Sequence, residues 1–125
     1  MKISEAAERS GLSIDTIRFY EKRGMLPEIH RGPDGHRRFT PYDIDWLTLL
    51  YWLRETGMPL SAIHRFTHLA KAAAGADGDA GLAERRQILL DHRDVLSKKR
   101  AMLSRCEDVL SIKLAQYGDP AEENE

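Results

Sequence analysis

From Leu82 to Tyr117 the chain contains neither glycine nor proline, and about 36 residues at a rise of 1.5 Å each predict a helix roughly 54 Å long. A chain of 125 residues and 14.2 kDa is one small domain plus one such helix, too short for two sizeable cores. Leu82, Leu89, Leu96, Leu103, Leu110 and then Tyr117 fall seven apart without a break, with Ile88, Val95, Met102 and Val109 one position earlier. A heptad sustained over that distance specifies a coiled coil. The competing reading is a helix packed on its own domain, against which its length counts, because so small a globule cannot enclose the rod. Homodimerisation through these residues is the expectation.

Charge along the helix suggests strand direction. Arg85 to Arg105 holds seven basic and two acidic residues, a balance of +5, whereas Cys106 to Glu125 holds one basic and six acidic, a balance of −5. An antiparallel pair sets these opposite one another and brings Arg93 towards the partner's Glu107 and Asp108; a parallel pair sets like against like.

Ahead of the rod, the sequence predicts short helices. Ser4 is the expected cap of the first, which Gly11 stops; Ser13 caps a second, with Ile14 and Ile17 inside and Gly24 at its end. Two short helices across a Gly-Leu-Ser link form a helix-turn-helix pattern. Glu28 to Arg31 and His36 to Phe39, separated by Gly32-Pro33-Asp34-Gly35, predict a small basic hairpin. Thr40-Pro41 opens a third helix, running through Ile44, Leu47 and Leu50 to Gly57, and Pro59 opens a fourth. The glycine-broken stretch 75–81 is read as a connection and 118–125 as an acidic tail.

The net charge of −1 argues against a nucleic-acid partner only when averaged over the chain. From Arg18 to Arg38 there are six basic and three acidic residues, a balance of +3. Thr16, Arg18, Phe19, Tyr20, Lys22 and Arg23 combine donors for phosphates and base edges with aromatic faces, and Arg31, Arg37 and Arg38 extend the basic surface over the hairpin. A basic second helix, a basic wing and a dimerising rod together fit paired half-sites on duplex DNA.

Thr16-Ile17-Arg18-Phe19-Tyr20-Glu21, Gly24-Met25-Leu26-Pro27, Gly35-His36-Arg37-Arg38-Phe39 and Leu53-Arg54-Glu55-Thr56-Gly57-Met58-Pro59-Leu60 resemble, in order, the successive signatures of the MerR family of bacterial transcription regulators. The resemblance implies a mainly α fold, a winged helix-turn-helix followed by a long dimerisation helix in an antiparallel coiled coil. It also implies a homodimer that binds a pseudo-palindromic operator in promoter DNA and distorts it to control transcription, with RNA polymerase as a partner. By position, Thr16 and Arg18 would enter the major groove, Tyr20 and Lys22 would reach phosphates, and Arg37 and Arg38 would hold the wing on the backbone. Gly57 to Leu60 would form the turn of a second wing, where a helix N-terminus can meet a phosphate. Leu53 to Met58 is most similar to the branch linked to aldehyde stress; Trp52 stands where that branch carries its reactive cysteine.

Sensor chemistry is sparse. Cys106 is the only cysteine, which argues against thiolate metal sites, an iron–sulfur cluster and an internal disulfide, and points to a reducing cytoplasm. Its place beside the seam predicts a covered thiol. Trp52, Phe66 and Cys106 are the candidate effector residues, although aromatics at helical spacing more often form core. His64 and His68, four apart, have no evident third metal ligand. No phosphate loop, nucleotide fingerprint or nucleophile–base pattern marks an enzyme. No apolar run nears the roughly 20 residues that cross a bilayer, and no export segment is visible at the start.

These observations predict a winged helix-turn-helix over residues 1–74, a connection at 75–81, a coiled-coil helix at 82–117 and a tail at 118–125. They predict a cytoplasmic DNA-binding dimer with no cofactor. The competing class is a coiled-coil interaction adaptor with a degenerate DNA module.

Overall fold

The computed structural model describes residues 1–75 and 81–118, so five residues of the expected 75–81 connection and all of the acidic tail beyond Gly118 lie outside the described residues. Seven elements follow in order: α1 (Ile3–Ser10), α2 (Ile14–Lys22), β1 (His30–Arg31), β2 (Arg37–Arg38), α3 (Pro41–Glu55), α4 (Leu60–Gly75) and α5 (Leu82–Tyr117). The chain divides into two compact units, Met1–Leu89 and a second from Leu90 onward, so the division falls within α5. Among the described residues, no helix is long and apolar enough to cross a membrane.

Local signals set most boundaries. The Ser13 hydroxyl accepts the Thr16 amide at 3.1 Å and caps α2. Thr40 and Asp43 form a reciprocal capping box at α3, with Pro41 in the first turn where its missing N–H costs nothing. Both α2 and α3 end in the paired backbone bonds of a Schellman motif, Met25 N–H to the Tyr20 carbonyl and Met58 N–H to the Leu53 carbonyl, each at 2.9 Å. Met25 and Met58, just past the two glycines, are both buried. The cap expected at Ser4 is a correction: Lys2 occupies the cap position with extended backbone and no side-chain cap, and Ser4 lies inside the first turn. The hairpin arms are also shorter than expected, two residues each, because only His30 with Arg38 and Arg31 with Arg37 pair.

The first unit has one core, built from Ala6, Leu12, Ile17, Tyr20, Met25, Leu26, Phe39, Ile44, Leu47, Leu50, Leu53, Met58 and Ile63. Each of the four helices α1 to α4 contributes to it, and Phe39 just past β2 joins them. Fully burying an aliphatic side chain such as Ile17 or Leu50 is worth about 1.5–3 kcal/mol. Trp46 is pinned at the rim, its indole N–H donating to the Met25 carbonyl at 3.1 Å and its ring stacked on Phe66 at 5.7 Å. Arg65 on α4 makes a two-pronged ion pair with Glu84 in the first turn of α5, at 2.8 and 2.9 Å.

Candidate nucleic-acid interface

Helix α2 is amphipathic in the plain sense. Ile17 and Tyr20 turn into the core, while Arg18, Phe19, Lys22 and Arg23 are exposed. Arg18 and Lys22 are four apart and share one outer face. Thr16 is half-buried, and its hydroxyl pairs with that of Ser13 at 2.8 Å. The Arg23 guanidinium sits 4.8 Å from the centre of the Phe19 ring, a cation–π contact that keeps an aromatic face on the surface.

Tyr20 departs from expectation. It is only 3% exposed, and burial pushes its phenol pKa up from 10.0, with the Arg54 charge pulling the other way. The reason is periodicity: Tyr20 lies three residues beyond Ile17 and shares its inward face. A phenol held this way packs the helix against the core.

The wing is built by side chain-to-backbone bonds. Asp34 accepts the His36 amide at 3.1 Å, Arg31 donates to the Gly35 carbonyl at 2.9 Å, and the Gly32 amide bonds the His36 carbonyl at 2.9 Å. The His36 amide, assisted by the charges of His36 and Arg38, holds the Asp34 carboxyl below its ordinary 3.8. Two contacts fix the wing to the helices. Arg37 Nε lies 2.7 Å from Glu21 Oε1 on α2, both side chains about three-quarters covered, and the Phe39 amide donates to the Met1 carbonyl at 2.7 Å. Arg38 remains exposed near Asp34, at 3.8 Å.

Thr16, Arg18, Lys22, Arg37 and Arg38 are thus carried by two elements that are braced together. Arg37 also has a task that its position did not reveal, the ion pair with Glu21. Lys2, Ser4 and His36 were not singled out as site residues in the sequence, yet they line a cleft with Arg18 and Arg37. No spacing could have shown this, because α1 and β2 meet only through tertiary bonds. A second cleft, lined by Phe19, Arg23 and Met25 with Leu60, Ser61 and His64, lies between α2 and the start of α4.

The candidate effector residues are not brought together. Phe66 is buried against Trp46, whereas Trp52 is 58% exposed and meets Tyr51 edge-on at 5.0 Å. Cys106, expected to be covered, is exposed in the single chain because nothing on its own helix overlies it. Among the described residues, no three His, Cys, Asp or Glu side chains gather where they could hold a metal ion.

Comparison with known proteins agrees with this geometry. Residues 1–69 match the MerR HTH family regulatory protein. An HTH-type transcriptional regulator of Haemophilus influenzae is 40% identical over 114 residues, 91% of this chain and 81% of its own. The regulator AdhR of Bacillus subtilis is 31% identical over 96 residues, 77% of this chain and 65% of its own. A crystal structure of HiNmlR, a MerR family regulator lacking the sensor domain and bound to promoter DNA, superposes with a TM-score of 0.78 at 39% identity, covering 93% of this chain and 88% of that one. The basic second helix, the braced wing, the long terminal helix and these likenesses lead to one assignment: the chain belongs to the MerR family.

Proposed function

We propose that this chain is a DNA-binding transcriptional regulator that acts as a homodimer on promoter DNA. The observation that carries the reading is the outer face of α2, where Arg18 and Lys22 stand exposed beside a basic wing tied to the same helix by the Arg37–Glu21 ion pair. Its likeness to a relative bound to promoter DNA supports the same reading. Arg18 and Thr16 read base edges in the major groove, Lys22 and Arg38 contact phosphates, and Arg37 sets the angle of the wing. Tyr20 supports α2 from below. Residues 1–74 form the reading unit and residues 82–117 pair the two copies, so that two half-sites are engaged at once. The bound promoter is bent and underwound, which alters its use by RNA polymerase in the cytoplasm.

The test is binding of the full chain to labelled duplexes tiled across the DNA flanking its own gene. Arg18→Ala should weaken binding to the best duplex by about tenfold or more, the scale of one lost bidentate base contact, without lowering the thermal midpoint. Unchanged affinity would refute the assigned surface.

A further inference from the structure

A slot of about 310 Å³ opens between the segment leaving α2, helix α3 and helix α4, and none of the residues assigned to DNA lines it. Its volume is at the lower end of what holds small molecules. Tyr42 and Trp46, four apart on α3, supply an aromatic wall. Tyr42 is 66% exposed, so its ring is not part of the core. The Trp46 ring is backed by Phe66 at 5.7 Å and 14°, and its indole N–H is tied to the Met25 carbonyl at 3.1 Å, which makes it a fixed platform. Pro27, with Ala70 and Ala74 one turn apart on α4, lines the slot with small side chains, where a longer residue at either alanine would fill it. Two opposite charges complete the lining, Glu28 on the segment leaving α2 and Lys71 on α4. Both are exposed, and neither forms an ion pair among the described residues.

We propose that this slot binds a small aromatic zwitterion, a flat ring with one amine and one acid, and that its occupancy bears on α2; the second half rests on the functional reading above. Tyr42 and Trp46 take the ring by offset stacking. Charge selects the rest. An aromatic acid meets Lys71 but also the like charge of Glu28, and an aromatic amine meets the reverse. Only a ligand bearing both charges finds an opposite partner for each. Trp46 carries the consequence to the reading helix. Its indole holds the carbonyl of Met25, whose amide closes α2 on the Tyr20 carbonyl at 2.9 Å. Glu28 lies three residues further along the same segment. A ligand that bridges Glu28 to Lys71 therefore fixes the end of α2 against α4, and ligand and duplex then alter one another's affinity reciprocally.

The experiment is titration of the full chain carrying Trp52→Phe, which leaves Trp46 as its one indole, with L-phenylalanine, phenylacetate and phenethylamine as probes. Trp46 emission should respond saturably, with phenylalanine binding tightest. Ala74→Leu, which fills the slot, should abolish the response, and Tyr42→Ala should weaken phenylalanine by up to about tenfold. Glu28→Gln should weaken phenylalanine about two- to fivefold, the scale of one exposed ion pair, and strengthen phenylacetate by a similar factor. Lys71→Met should do the same for phenylalanine and phenethylamine. A merely structural role would not exchange the preference in this way. Thermal midpoints identify any variant that has lost its fold, and Glu28→Gln, a minimal change on an exposed side chain, keeps the test open in that event. No saturable response to any probe, or three equal affinities unmoved by both charge variants, would overturn the site. So would Trp46 emission that follows protein concentration instead, with Ala74→Leu loosening the dimer, because a second copy would then be the occupant. Saturating phenylalanine should shift affinity for the best duplex by about fivefold or more, and the duplex should shift phenylalanine affinity by the same factor. Binding without that shift would overturn the link to α2. A parent chain that takes phenylalanine but no duplex would remove the functional reading and leave the slot's ligand supported.

Discussion

At Gly11 the backbone has φ +88°, and a Cβ placed there would lie 2.7 Å from a ring carbon of Tyr51. That ring cannot swing away cheaply, because it is packed edge-on against Trp52. Gly35, at the wing tip, has φ +80° and open space around the same hypothetical Cβ. The two glycines separate two costs. Gly35→Ala should lose only the left-handed backbone term, about 1–2 kcal/mol, while Gly11→Ala should lose that and about 1–3 kcal/mol more from overpacking. Denaturant midpoints at constant m-value measure both, and in a Tyr51→Leu background the gap between them should close; a gap that persists would mean that the ring is not its cause. Tyr20 makes a related point about what single residues disclose. Its aromatic, polar-tipped chemistry suits a phosphate contact, but its use is decided by the face of α2 that the core claims, which the sequence carries only as a three-residue offset from Ile17.

Among the elements, the wing is the smallest and the most dependent on one carboxylate. Asp34 is held below its ordinary 3.8 chiefly by the His36 amide. A depressed carboxylate contributes order that is fully present above the ordinary value and is lost as pH falls through the lowered one. The His36 amide should therefore lose its protection and shift progressively on acidification below about pH 4, and Asp34→Asn should remove that pH dependence; a titration curve unchanged in the variant would place its origin elsewhere. Such elements were legible in the sequence wherever a local bond defines them: the Ser13 and Thr40 caps, the glycine stops, and the full extent of α5 from Leu82 to Tyr117. Ser4 misled because the chain already has extended backbone at Lys2, so the helix starts before the residue that could have capped it. The Arg37–Glu21 brace and the cleft at Lys2 and His36 were illegible for a stronger reason. They join residues 16 and 34 positions apart, and only the tertiary fold sets that proximity.

For the whole molecule, the decisive quantity is the apolar surface that one chain leaves in water. Met102, Leu103, Val109 and Leu110 are each 55–65% exposed on α5, and covering that half of each side chain is worth about 1 kcal/mol apiece. Two copies of those four residues supply roughly 8 kcal/mol, which merely matches the ~4–15 kcal/mol lost on association. The stripe must therefore pair along its length, from Leu82 to Tyr117, if the dimer is to hold. Three beyond the leucines at 89, 96, 103 and 110 stand His92, Lys99, Cys106 and Lys113, so the apolar band widens through Ile88, Val95, Met102 and Val109 instead. Leu103→Lys should convert the dimer to monomer by sedimentation, with the winged unit's own core residues untouched. Direction follows from charge. The +5 and −5 halves repel in a parallel pair and attract when antiparallel. If Arg93 faces the partner's Glu107, the midpoint is at residue 100, and spin labels placed at 85 on both copies of a Cys106→Ser chain lie 30 helical positions apart. At 1.5 Å per residue that is about 45 Å, against about 10 Å for a parallel pair with its helices in contact. A short distance would reverse the proposed orientation of the pair.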